Sequence, residues 1–145
     1  MTETFHWVRV RVFCLATEDK EKISEALGGL VGTEWTEDIC EGEFGNITVI
    51  MDCEIKKKKL IDGMFSRIEK KSIERMLDEA EERLDDDCTF YMRLDKQKAV
   101  LGTYETGSGG DVISIVCKVA SYPSRKELAL ENLRNYFAGI LRDAP

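Results

Sequence analysis

Between Phe5 and Leu15 the side chains alternate with a period of two. Val8, Val10, Val12 and Cys14 fall on one side, and Trp7, Arg9, Arg11 and Phe13 on the other. A strand sends successive side chains to opposite faces, so this segment is expected to be a half-buried strand. Ile47 to Ile55 repeats the pattern, with Ile47, Val49, Met51, Cys53 and Ile55 on one face. Val112 to Val119 is the most β-branched run of the chain and is expected in the interior of the same sheet.

Between these strands the period changes. Ile23, Ala26, Leu27 and Leu30 recur at helical spacing, with Thr17 as the expected N-cap and Gly28-Gly29 as the expected end. Trp35 to Cys40 reads as a weaker strand and Glu41 to Asn46 as a turn. After Lys56–Lys59, Leu60, Ile61, Met64, Phe65 and Ile68 fit one helix. Ile73, Met76, Leu77, Ala80 and Leu84 fit another, with Ser72 as its cap. Cys88 to Leu94 returns to strand, Ala99 to Tyr104 reads as a short strand, and Thr106 to Gly110 as a hairpin-type loop. Tyr122-Pro123 is a break. Ser124-Arg125-Lys126-Glu127 has the spacing of a capping box, and Leu130, Leu133, Phe137, Ile140 and Leu141 mark a final helix. This order predicts an α+β fold, an antiparallel or mixed sheet with helices packed on one face. At 145 residues the chain is expected to form a single domain, 1–145.

Several function classes drop out. No run approaches the length of a membrane span and no signal-peptide core precedes Arg9, so the chain reads as cytoplasmic with no membrane partner. Five cysteines without a Cys-x-x-Cys pair, and one histidine, His6, leave no ordinary zinc site. The cysteines are expected to be reduced thiols packed as small hydrophobes. Gly107-Ser108-Gly109-Gly110 lacks the Lys-Ser/Thr of a phosphate loop, and Asp85-Asp86-Asp87 reads as an exposed acidic turn. No nucleophile with a base is evident, so neither an enzyme nor a cofactor is expected.

Charge is segregated. The net charge is -7, yet residues 34–43 hold five acids and no Lys or Arg, and residues 78–87 hold seven acids and only Arg83. The remainder of the chain is net positive, so a polyanion can find a basic face. Arg93-Leu94-Asp95-Lys96-Gln97-Lys98 is a basic island at the end of a strand-like run, a candidate anion-binding edge. Arg9 and Arg11 share a strand face with Trp7 and Phe13, a mixture that serves RNA on some sheets but that also arises when the cations snorkel beneath covering helices or pair with acidic helix residues.

Phe13-Cys14-Leu15-Ala16-Thr17-Glu18-Asp19, Gly42-Glu43-Phe44-Gly45-Asn46, Arg93-Leu94-Asp95-Lys96-Gln97-Lys98-Ala99 and Tyr122-Pro123 together resemble an archaeal family. It is described as small RNA-binding proteins and predicted exosome subunits. The resemblance spans nearly the whole chain. It implies a fold similar to ribosomal protein L5, RNA as ligand and the exosome, or other RNA-processing proteins, as partner. Carried over residue by residue, it implies Asn46, Arg93, Lys96, Gln97 and Lys98 as the RNA site. Arg93, Lys96 and Lys98 would contact phosphate, and Gln97 and Asn46 would reach sugar or base edges. The resulting expectation is a non-catalytic protein that binds structured RNA by shape and phosphate. The rival is a protein–protein adaptor whose acidic segments dock a basic partner.

Overall fold

The computed structural model describes residues 4–42 and 45–143. Along the chain run β1 (Phe5–Cys14), α1 (Lys20–Val31), β2 (Thr36–Glu41), β3 (Ile47–Ile55), α2 (Lys58–Arg67), α3 (Lys70–Asp78), α4 (Ala80–Arg83), β4 (Thr89–Asp95), α5 (Lys96–Val100), β5 (Val112–Val119) and α6 (Lys126–Asp143). The fold is α+β. Its five strands form one sheet in the order β2-β3-β1-β5-β4, with every neighbouring pair antiparallel. Among the described residues no helix is long and apolar enough to cross a membrane.

The period-two pattern sorts the two faces. Val8, Val10, Val12, Met51, Cys53, Phe90, Met92, Ile113, Ile115 and Cys117 are buried on one face under the helices. Leu27 and Leu30 of α1, Met64 and Phe65 of α2, Ile73 and Met76 of α3, and Leu133 and Phe137 of α6 complete that core. Phe65 stands at its centre, with Phe5, Tyr136 and Phe137 each within 5.5 Å, ring centre to ring centre. Burying a side chain of this size stabilises by roughly 1.5–3 kcal/mol. Among the described residues the opposite face carries no helix, and its outward side chains reach solvent. All five cysteines are free, and Cys14, Cys53, Cys88 and Cys117 are buried. Burial pushes the Cys53 thiol up to about 11, which keeps it protonated and unreactive at neutral pH.

Several local expectations are corrected. α1 is capped by Asp19, whose Oδ1 accepts from Glu21 N at 3.0 Å, and not by Thr17. Gly28-Gly29 does not end this helix. It continues to Val31 and stops at Gly32, whose φ of 65° is the left-handed conformation that favours glycine. Gly29 is small for another reason: a Cβ there would lie 2.7 Å from the Tyr104 hydroxyl oxygen, which donates to Ala26 O. Ser72 lies inside α3, and its Oγ accepts from Thr106 N at 3.0 Å. Residues 99–104 form no strand, because Asp95 caps a short helix through Lys98 N and Lys-Gln-Lys-Ala are good helix formers. The Thr106–Gly110 segment is not a simple hairpin. Thr106 bridges Leu94 while β5 pairs with the other side of β4, so the loop crosses the end of β4. That crossing requires Gly107, where a Cβ would meet the Asp95 Cα at 2.8 Å. The capping box does not form either. Ser124 Oγ turns to Cys88 Sγ, and Ser121 Oγ accepts from Arg125 N. Glu43 and Phe44 of the expected turn lie outside the described residues.

Candidate functional site

The basic island divides where β4 becomes α5. Arg93 is the last outward cation of β4, exposed on the open face and without an ion pair among the described residues. Lys96, three residues on, is 3 % exposed. Its Nζ donates to Glu18 Oε1 at 2.7 Å, Asp111 Oδ1 at 2.9 Å and Phe13 O at 2.9 Å. An ammonium has three protons, so this one is saturated and is not presented to a phosphate. Burial alone would lower the Lys96 pKa, but the hydrogen bonds to Glu18 and Asp111 outweigh it and leave the pKa raised. The same lysine holds the Asp111 carboxyl below its usual value.

Gln97 joins this clasp, its amide donating to Asp111 Oδ2 at 3.0 Å and Glu18 Oε2 at 3.4 Å. Lys98 is exposed and paired with Glu105 at 2.7 Å, which raises its pKa. Asn46 is also exposed and lies just beyond the last β2–β3 pair, Glu41↔Ile47, with its main-chain oxygen accepting from Gly42 N at 2.7 Å. It shares one end of the sheet with the clasp but stands on the other flank. The structure therefore does not bring the five expected site residues together.

The open face brings together a different set. Register places Arg93 opposite Ser114, Ser114 opposite Arg11, and Arg11 opposite Asp52, one row across four strands. The next row holds Tyr91, Val116, Arg9 and Glu54. Trp7 and Lys118 stand in the row beyond on one side and Phe13 in the row beyond on the other, so β4, β5 and β1 together present Tyr91, Arg93, Lys118, Trp7, Arg9, Arg11 and Phe13. The outward acids Asp52, Glu54 and Asp38 belong to β3 and β2, so the face has a basic, aromatic half and an acidic half. Asp52 bonds Arg11 at 2.7 Å and lies 3.9 Å from Arg9, so one carboxylate serves two guanidinium groups that are each 46 % exposed. Such exposed pairs contribute about 0–1 kcal/mol and open readily for a stronger anion.

The aromatics are accessible too. Phe13 is 44 % and Tyr91 46 % exposed, and the Arg9 guanidinium stands 5.5 Å from the centre of the Trp7 ring. Tyr91 is positioned by its hydroxyl, which donates to Asp85 Oδ2 at 3.1 Å. Asp85 also accepts from Asp87 N and Thr89 N, so the acidic turn is a structural bracket at the start of β4. Lys118 is tied to this turn through Asp87 O. Forked cations beside flat rings on an uncovered sheet can hold phosphates and stack bases. The alternation in β1 carried the signal for Arg9 and Arg11. Only the sheet order reveals that Tyr91 and Arg93 join them.

A second hollow, with a cavity volume near 540 Å³, lies between α2, α3 and the end of α6 and is lined by Lys58, Asp62, Arg67, Glu69, Lys70 and Tyr136 among others. Lys58 pairs with Asp62 at 2.6 Å, Asp62 also accepts from the Tyr136 hydroxyl, and Arg67 donates to Leu30 O.

The family model described as RNA binding matches residues 7–119. An RNA-binding protein of Pyrococcus abyssi is 37% identical over 145 residues, covering 92% of this chain and 94% of the relative. A solved DUF54 protein of Methanothermobacter thermautotrophicus superposes with a TM-score of 0.77 at 30% identity, covering 93% of this chain and 99% of its own. A second DUF54 structure, from Archaeglobus fulgidus, gives a TM-score of 0.75 at 31% identity, covering 90% and 98%.

Proposed function

The chain belongs to the RNA-binding family whose model it matches, and from that premise we propose that the basic, aromatic half of the open sheet face is its RNA site. The protein acts there without catalysis, holding structured RNA through phosphate and shape. Arg93, Arg11 and Arg9 take phosphates, while Phe13, Tyr91 and Trp7 offer flat surfaces to any unpaired base. Lys98 stands at one end of the sheet as a rim contact, and Asn46, on the acidic flank, lies outside the site. Lys96 and Gln97 act only by fixing the turn that follows Arg93.

The observation that carries this reading is the uncovered face itself. A sheet face that displays arginines beside exposed rings, with no helix over it, has the form of a nucleic-acid platform. The acidic half and the net charge of -7 set a direction for the ligand, across β4, β5 and β1 and away from β2 and β3. The family resemblance extends the reading to an L5-like architecture and to work beside an RNA-processing assembly such as the exosome.

The test is an RNA titration at several salt concentrations with the wild type and the double variant Arg9→Gln/Arg93→Gln. Removing one phosphate-binding cation should flatten the log–log salt dependence by roughly 0.7–0.9, so the double variant should flatten it by nearly twice as much. An unchanged slope in a folded double variant would remove the open face from the RNA site.

A further inference from the structure

The outer edge of β2 is open. Among the described residues β2 ends the sheet and pairs only with β3, in unbroken register from Thr36↔Asp52 to Glu41↔Ile47. All of its side chains are exposed. The outward N–H and C=O groups of such a strand have no ladder partner and form a template for another strand. Thr-Glu-Asp-Ile-Cys-Glu has no bulge, proline or lysine to blunt its edge, and its three carboxylates protect it against every partner but a basic one. Ile39 is 74 % exposed, and Ile47, on the same side of the sheet, is 51 % exposed. The helices stop short of this corner, so a free ladder and an uncovered apolar strip coincide.

Charge selects the occupant. Glu37 is held by Lys20 at 2.7 Å, but Asp38 and Glu41 have no ion pair among the described residues. Nucleic acid is repelled here. A second copy pairing antiparallel through β2 would set carboxylates against carboxylates, which destabilises a sheet. We propose that β2 accepts a basic, extended segment of another protein as a sixth strand. Alternation fixes its pattern: an apolar residue beside Ile39, with Lys or Arg two positions to either side, beside Glu37 and Glu41. The required motif is Lys/Arg-x-apolar-x-Lys/Arg. RNA and this segment would then occupy opposite flanks of one sheet.

The probe is a synthetic peptide with the core Lys-Thr-Val-Thr-Lys, titrated into the isotope-labelled full chain and followed by amide shifts and hydrogen exchange. Binding should slow exchange of amides within residues 36–41. Glu37→Lys/Glu41→Lys should weaken binding by about tenfold or more, and N-methylation of the peptide valine should do likewise, since one removes charge pairing and the other a ladder bond. Glu82→Lys/Asp86→Lys, in the other acidic segment, should change affinity by no more than about twofold. All four positions are exposed, so both double variants should fold, as far-UV circular dichroism can verify. Four results would each overturn the proposal: no binding, shifts confined to residues 78–87, indifference to either β2-directed change, or a free-protein dimer joined through β2.

Discussion

Arg93 and Lys96 are three residues apart and were expected to do the same work, yet the fold gives them opposite fates. Arg93 sits on the open face with its guanidinium uncommitted among the described residues. Lys96 is enclosed by Glu18, Asp111 and the Phe13 carbonyl. What separates them is the Asp95 cap, which turns a strand into a helix and swings the next cation inward. A basic motif is therefore not a charge total. Where its backbone changes direction decides which cations meet solvent.

The largest expected effect tests the enclosed side of this contrast. Lys96→Met leaves Glu18, with a side chain only 16% exposed, facing no cation, while Asp111 stays 53% exposed and partly hydrated. Breaking a buried pair costs up to about 3–5 kcal/mol, and the half-exposed partner should reduce this to about 2–4 kcal/mol. Thermal or urea unfolding measures it, and the salt dependence of RNA binding should not change. Arg93→Gln should do the reverse. We expect stability within about 0.5 kcal/mol of wild type and RNA binding weaker by about tenfold near 0.1 M salt. If the two variants swapped these effects, the contrast between the two residues would collapse.

Asp111→Asn sharpens the comparison with pH. Because Lys96 holds the Asp111 carboxyl below its ordinary value, that bond contributes stability above the unfolded pKa of 3.8 and loses it as pH falls through the lower folded value. The variant should lose about 1 kcal/mol at neutral pH and show a shallower acid limb below that point. Lys96 has the opposite sign. Its raised pKa contributes stability that is fully present below 10.5 and lost as pH rises through the folded value. The smallest effect belongs to Lys98→Gln, which breaks an exposed pair with Glu105 and should shift stability by no more than about 0.5 kcal/mol. A full unit removed from the RNA salt slope in that variant would make Lys98 a principal contact instead of a rim one.

The long-period features of the fold were legible in the sequence. Alternation in β1 and β3 and the β-branched run of β5 depend only on which face is buried, and they named those strands. The helix ends and α5 were not legible, for two physical reasons. A five-residue helix such as α5 is too short to display a period, and its start rests on one capping carboxylate. At α1, residues 15–18 close a turn of their own through Glu18 N and Leu15 O, so the helix starts at Lys20 and the cap falls to Asp19 and not to Thr17. Within the site, the sequence placed Arg9 and Arg11 beside Trp7 and Phe13. It could not show that helices cover the other face, nor that Arg93 is carried to theirs by β4 and β5. Lys96 was hidden most completely, because its partners at positions 13, 18 and 111 meet only in the folded protein.

The central place of β1 has a consequence for how the protein is made. β1 leaves the ribosome before the other four strands of the sheet, but it is flanked by β3 and by β5, whose last residue is Val119. Its second edge therefore stays unpaired until β5 has been synthesised, and pairings so distant in sequence form slowly. Val8, Val10 and Val12, which end fully enclosed, are exposed throughout that interval. A nascent chain halted before β5 should accordingly be protease-sensitive and bound by chaperones, and should become resistant once both β5 and α6, which closes the core, have cleared the exit tunnel.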